Sequence, residues 1–314
     1  MINYLFCLDE NYNNQFLTTL CSLNENSTKK FNVFVIHKNP KSLKKYYLNS
    51  NNQFNLINDI NFYQIDNLDI TFPNLEKNHV SEATYYRFFI ERYLPNDLDS
   101  IVYLDCDIVC INNPEEILSS TLQDLKESNN IVGASTEYIK NKSTEEVFNR
   151  LNLNSNNYFN AGVMLIDYKK WKKESLMNKL LELMADIRDD INFWDQDVLN
   201  KFFDGSYLEL SNYLNFSMVN EFSDNLNEIN RKIIFLHYSG SSKPWTIKGM
   251  NNRSSYYFQH YYHVYSDKYY FFTTNYKKGA LIDLLKIVSS TKFLTLPYLK
   301  EFLKASLKVI FYNE

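Results

Sequence analysis

At 314 residues, the chain is long enough to bury roughly three quarters of the surface its unfolded form exposes, so neither disulfides nor a structural metal is needed for folding. Its composition, 45% hydrophobic and 22% charged with a formal charge of −4, is globular and excludes disordered, collagen-like and basic nucleic-acid-binding classes. The 6 glycines never come closer than nine positions, which rules out a Walker loop or a GxGxxG turn, since both need clustered glycines to bring backbone against phosphate.

Along the chain, a first strand is predicted over residues 3–8, ending at Asp9, Glu10 and Asn11, with a helix from about Asn14. Further strands are expected over 32–36, 62–65, 100–104, 131–134, 161–166 and 232–236. Helices are expected to begin near Pro40, Ala83, Pro114, Thr144, Tyr168 and Gln196, the one at Ala83 running to Tyr93 before Pro95 stops it. Short β-type runs alternating with longer amphipathic ones give the pattern of a parallel sheet with helices on both faces. Ligands of such open sheets bind beyond the carboxyl ends of the strands, which makes the polar residues just after an apolar run the place to look for chemistry.

Cys7, Cys21, Cys106 and Cys110 lie in or beside apolar runs without a CxxC pair, so buried free thiols are expected and a structural zinc is not. The N-terminus enters a strand without a basic segment or a long apolar core, and no run approaches the roughly 20 apolar residues of a spanning helix. A cytoplasmic protein is the expectation. After residue 250 the character changes: residues 255–272 are crowded with tyrosines, and residues 277–314 carry seven lysines against three acids. The reading divides the chain into a main domain, 1–249, and a C-terminal helical segment, 250–314. A basic amphipathic segment resting on anionic lipid is one account of that tail, and helices packed on the main domain with lysines in water is the other.

The sharpest local signal is Ile101-Val102-Tyr103-Leu104-Asp105-Cys106-Asp107, an apolar strand ending in carboxylates at i and i+2. Alternation sends both to one side of an extended chain, where their repulsion is relieved by a cation; oxygen ligands suit Mg²⁺ or Mn²⁺. For an isolated pair, a solvated strand-end turn is the more ordinary account. A second apolar run ends at His237 and continues through Gly240 to Lys243 and Trp245. An added imidazole favours Mn²⁺ over Mg²⁺, Lys243 supplies a point charge for phosphate, and Gly240 leaves room for a diphosphate. Each residue also has an ordinary structural reading: Asn11 as a helix cap, Arg87 paired with Glu91 along a helix face, Asn160 closing a turn, Gln196 opening a helix, and Tyr86 and Trp245 as packing.

Taken together, Phe6 to Tyr12, Ala83-Thr84-Tyr85-Tyr86-Arg87, Leu104-Asp105-Cys106-Asp107, Tyr158 to Val163, Asp195-Gln196-Asp197 and His237 to Trp245 resemble the glycosyltransferase family 8 pattern, in order over residues 3–245. The resemblance implies an α/β fold of the GT-A type, a Rossmann-like mixed sheet with flanking helices, and retaining transfer of a hexose from UDP-galactose or UDP-glucose with Mn²⁺. It implies that Asp9 and Asn11 meet the nucleoside, that Cys106 serves through its backbone, and that Asp105, Asp107 and His237 ligate the metal. Gly240 and Lys243 would contact the diphosphate, and Arg87, Asp105, Asn160, Asp195 and Gln196 would surround the hexose, with Gln196 or Asp195 on the reacting face. The acceptor implied is a surface glycan such as lipopolysaccharide core, with a glycogenin-like self-glucosylating primer or another metal-dependent phosphate enzyme as the alternatives. Donor hexose, route of retention and oligomeric state stay open at this point.

Overall fold

The computed structural model describes residues 1–43, 54–66, 70–73, 81–217, 231–274 and 277–312. Strand β1 (Asn3–Leu8) lies at the centre of a sheet flanked by β2 (Phe31–His37) and β3 (Ile57–Gln64) on one side and β4 (Ser100–Leu104) on the other, all parallel. The strands β1, β2 and β4 are apolar on both faces, as a sheet covered twice requires. Tyr4, Phe6 and Leu8 point with Val33, Val35 and Val102 toward α1 (Asn13–Asn26). Leu5, Cys7, Phe34 and Ile36 point the other way, into a core shared with Trp171 and Val198. All four cysteines are buried free thiols.

Beyond β4 the sheet becomes mixed, as the family resemblance implies and as the alternation of element types alone does not. Strand β7 (Asn157–Asp167) runs antiparallel to both β4 and β6 (Val132–Ile139), and β8 (Leu208–Glu209) closes the edge, giving the order β3-β2-β1-β4-β7-β6-β8. Alternation of element types does not encode strand direction, so a mixed sheet and a parallel one read alike. A small second sheet joins β5 (Ile108–Cys110), β10 (Phe235–His237) and β9 (Phe216–Ser217).

Several boundaries move for identifiable reasons. Strand β3 begins five residues before the predicted 62–65, β6 runs on past 134 into residues whose exposure alternates, and β7 begins four residues before 161, taking in the buried Tyr158 and Phe159. The run predicted at 232–236 pairs only over Phe235–His237. The helix expected from Ala83 is a 3-10 stretch, Glu82–Phe89, becoming α-helical only over α2 (Ile90–Tyr93). Three residues per turn aligns Tyr85 with Phe88, whose rings meet edge to face with centroids 5.8 Å apart. The helix expected at Pro40 is present over 40–43, and residues 44–53 lie outside the described residues.

Helices α3 (Glu115–Glu127), α4 (Glu145–Arg150), α5 (Tyr168–Lys173), α6 (Leu176–Asp186) and α7 (Trp194–Phe203) fill the intervening positions. Helix α8 (Ser255–Ser266) packs Phe258, Tyr261, Tyr262 and Tyr265 into the same core as α1, and Asn26 Nδ2 donates to Tyr261 Oη at 2.7 Å. Helices α9 (Lys277–Val288) and α10 (Leu299–Phe311) share a smaller core with Ile247, Met250, Tyr270 and Phe272.

Candidate active site

The turn that follows β4 is pinned from three sides. Asp105 N–H donates to Gly162 O of β7 at 2.8 Å, and Tyr238 N–H, just past β10, donates to Asp107 O at 2.9 Å. Thr19 Oγ1 on α1 donates to Ile108 O at 2.6 Å. Two distant strand tips are thereby held face to face, and ligand atoms of Asp105, Asp107 and His237 all lie within 4.8 Å of one another.

Asp107 is buried, with Oδ1 3.3 Å from His237 Nε2 and lacking a hydrogen-bond donor, while Lys243 Nζ sits on Oδ2 and also donates to Tyr238 O at 2.8 Å. Burial opposes charge on Asp107, but Lys243 and then His237 more than offset it and hold the carboxyl well below the usual range. Burial works against the imidazolium of His237, and Asp107 overcomes it, so the ring titrates above its ordinary value. Two carboxylates, one of them with a buried oxygen that lacks a donor, and an imidazole make a donor set that fits a divalent cation, Mn²⁺ better than Mg²⁺ because one of the three groups offers nitrogen.

Arg87 is buried and links Asp105 to β7 and α7. Its Nη2 donates to Asp105 Oδ1 at 2.8 Å, its Nη1 to Ala161 O at 2.6 Å, and its Nε lies 3.0 Å from Asp195 Oδ2. The guanidinium carbon stands 3.7 Å over the ring of Tyr103, whose hydroxyl donates to Asp105 at 2.6 Å. The pairing with Glu91 does not form; Glu91 accepts from Met177 N–H instead. Burial, reinforced by Asp105 and opposed by Arg87, pushes the Asp195 carboxyl up to about 6.

Asn160 and Gln196 stand on the same wall. Gln196 Oε1 accepts from Ala161 N–H at 3.0 Å and its Nε2 donates to Glu137 Oε2 at 3.0 Å; Asn160 Nδ2 reaches that same oxygen at 3.2 Å. Asp9 is buried and accepts from Asn11 N–H at 2.9 Å, so Asp9 rather than Asn11 caps the short turn after β1. Burial, then Asp105 and Asp107, keep the Cys106 thiol protonated far above its ordinary range, which removes it as a thiolate. Gly240 adopts φ +76° with nothing within 4 Å of the space a side chain would fill.

Three residues of this network escaped the sequence reading. Glu137 fell outside because the strand reading stopped at residue 134, although exposure alternates on to Ile139. Tyr103 looked like a strand residue and is one, with a polar tip. Asn215, whose side chain lies between Asn160 and His237, adjoins a strand of only two residues, too short to leave a pattern.

Residues 3–249 match the family model described as Glycosyl transferase family 8. A lipopolysaccharide 1,2-glucosyltransferase of Escherichia coli is 31% identical over 255 residues, 77% of this chain and 73% of the relative. A lipopolysaccharide 1,3-galactosyltransferase of Salmonella typhimurium is 30% identical over 180 residues, 56% of this chain and 52% of the relative. The crystal structure of the galactosyltransferase LgtC with donor and acceptor sugar analogs superposes with a TM-score of 0.67 at 22% identity, covering 84% of this chain and 96% of that one. That likeness is one of fold, and the fold is GT-A. With more than half of its length inside the family model, the chain belongs to glycosyltransferase family 8, whose members are sugar-transferring enzymes.

Proposed function

We propose that the chain is a retaining hexosyltransferase that uses UDP-galactose or UDP-glucose with Mn²⁺ and delivers the sugar to a surface glycan such as lipopolysaccharide core. The observation that carries the reading is the convergence of Asp105, Asp107 and His237 beside Lys243, with Arg87, Asp195, Gln196 and Asn160 on the adjoining wall. The names of the two lipopolysaccharide transferases support the acceptor class.

In this reading Asp105, Asp107 and His237 hold the cation, which when bound supplies a Lewis acid for the negative charge left on the departing diphosphate. Lys243 adds a mobile charge for the same phosphates, and Gly240 offers them open backbone. Asp9 and Asn11, at the tip of β1, receive the nucleoside, and Cys106 contributes its backbone. Arg87 orients Asp105 and Asp195 toward the hexose, and Asn160 and Gln196 offer amide groups to it. Gln196 is a poor nucleophile, and the Asp195 carboxyl is engaged with Arg87. Both features favour front-face substitution, in which the departing phosphate oxygen takes the acceptor proton, over a covalent glycosyl-enzyme. The exposed lysines and apolar residues of α9 and α10 support a peripheral contact with an anionic membrane that carries the acceptor.

Purified protein given UDP-galactose or UDP-glucose with Mn²⁺ is expected to release UDP, and EDTA to stop the release. Asp107→Asn should slow turnover by at least about 100-fold, or ~3 kcal/mol, as losing one charge-stabilising group does elsewhere. Absence of UDP binding in calorimetry with Mn²⁺ would end the reading. A hexose ladder on the protein itself would identify a self-glucosylating primer, and release of inorganic phosphate a phosphohydrolase.

A further inference from the structure

The ring of His237 is held by a hydrogen-bond path whose polarity is set by a backbone amide. Gly162 N–H donates to Asn160 Oδ1 at 2.9 Å. A peptide N–H can only donate, so the atom it meets is the amide oxygen, and the orientation of the Asn160 side chain is fixed without ambiguity. Asn215 reaches that same oxygen at 2.9 Å and must do so with Nδ2. Its Oδ1 is then the atom turned on His237 Nδ1, 2.9 Å away. A carbonyl oxygen only accepts, which requires a hydrogen on Nδ1 and leaves the lone pair of a neutral ring on Nε2, the nitrogen that faces Asp107.

The fold builds this path deliberately tight. Parallel pairing sets Leu236 opposite Phe216 and His237 opposite Ser217, and alternation then brings Asn215 to the same face as His237. Both side chains are buried, 8% and 4% exposed. At Gly162 the imidazole occupies the space of a side chain: an added Cβ would lie 2.3 Å from Cε1 and 2.9 Å from Nδ1. Asp107 pulls the other way, since a proton on Nε2 would suit its Oδ1, but that contact is longer, 3.3 Å, and its second oxygen is already taken by Lys243.

We infer that Asn215 is a positioning residue. With Asn160 it relays the polarity of the Gly162 amide to His237, fixing the Nδ1–H tautomer so that Nε2 is the ligand atom. The same relay joins the metal-facing histidine to a residue of the sugar-facing wall. Its consequence for metal binding rests on the reading of Asp105, Asp107 and His237 as a cation site; the tautomer does not.

The test is histidine-selective ¹⁵N labelling of the full chain, metal-free and alkaline enough for a neutral ring, with two-bond ¹H–¹⁵N correlations read for each imidazole. His37 provides the opposite reference in one spectrum, because its Nδ1 accepts from Asn39 N–H at 2.7 Å and its proton must sit on Nε2. His237 is expected as the Nδ1–H form. Asn215→Ala should shift it toward Nε2–H and weaken Mn²⁺ binding, followed by electron paramagnetic resonance, about 10–100-fold. Asn215→Asp gives up the donation to Asn160 Oδ1 but still accepts from Nδ1–H, so it should keep the tautomer that Asn215→Ala loses. A parent ring with its proton on Nε2, or an Asn215→Ala ring unchanged in tautomer, overturns the relay. If the parent shows Nδ1–H and the alanine variant loses it while neither binds Mn²⁺, the relay stands and the metal reading falls.

Discussion

Asp195 touches Arg87 in an interior that disfavours its charge, and the balance leaves its carboxyl titrating at about 6. Relative to an ordinary Asp near 3.9, the folded chain then binds more protons than the unfolded one between those values. The stability this group contributes is therefore fully present below about pH 4 and lost as the pH rises through 6, a swing of roughly 3 kcal/mol at 1.36 kcal/mol per pH unit. Asp195→Asn lacks the titration, so in urea unfolding the variant should gain on the parent by about 3 kcal/mol between pH 4 and pH 7. A constant gap would mean that Asp195 ionises as an exposed carboxyl does. Gly162 makes a second prediction: Gly162→Ala forces a methyl group into the His237 ring, and Mn²⁺ affinity should fall at least about 10-fold. Unchanged affinity would remove His237 from the ligand set. Asp105, Asp107 and His237 stood out because each closes an apolar run, and Lys243 because it is the one cation in the short polar stretch after His237. Glu137 and Asn215 were not, because their roles arise from what lies across the cleft and nothing in their sequence neighbours marks them.

At the scale of elements, the start of α7 shows how the wall residues are aimed. Trp194 has φ +50°, a conformation that bulky residues rarely adopt and that stores on the order of 1–3 kcal/mol of strain. Asp197, fully buried, holds the turn in place: its carboxylate accepts from Asn192 N–H at 2.7 Å, Phe193 N–H at 2.8 Å, Arg150 Nη1 at 2.8 Å and Tyr158 Oη at 2.8 Å. Removing it strands a largely buried guanidinium and two peptide donors, so Asp197→Ala should lower unfolding stability by roughly 3–5 kcal/mol, measured by denaturant titration. A loss under about 1 kcal/mol would show that the turn holds itself. The sequence reading assigns Asp195 and Gln196 to the hexose and gives Asp197 no role; the anchoring work of its carboxylate shows only in the fold. Element existence was readable from hydrophobic period, whereas the antiparallel course of β7 and the 3-10 winding of Glu82–Phe89 are set by tertiary partners.

Across the whole molecule, the Asp105–Asp107–His237 cluster lies beyond one end of the sheet while the last two helices turn an unusual surface outward. On α9, Leu281, Ile282, Leu285 and Val288 form an exposed stripe beside buried Ala280, Leu284 and Ile287. On α10, exposed Leu307 and Phe311 adjoin Lys300, Lys304 and Lys308, which recur every four residues and therefore share one face. Residues 277–314 carry +4 by sequence against −8 for the rest, so an anionic surface would attract this end and repel the remainder, orienting the cleft as well as binding it. No helix among the described residues is long and apolar enough to cross a membrane. At about 1 kcal/mol per lysine near anionic lipid, reversing Lys300, Lys304 and Lys308 to Glu should reduce partition onto phosphatidylglycerol vesicles by at least ~100-fold in cosedimentation. Binding to phosphatidylcholine vesicles should be weak throughout, added salt should release the parent, and UDP release from donor in solution should be unaltered. Equal partition of parent and triple variant would show that these lysines merely face water.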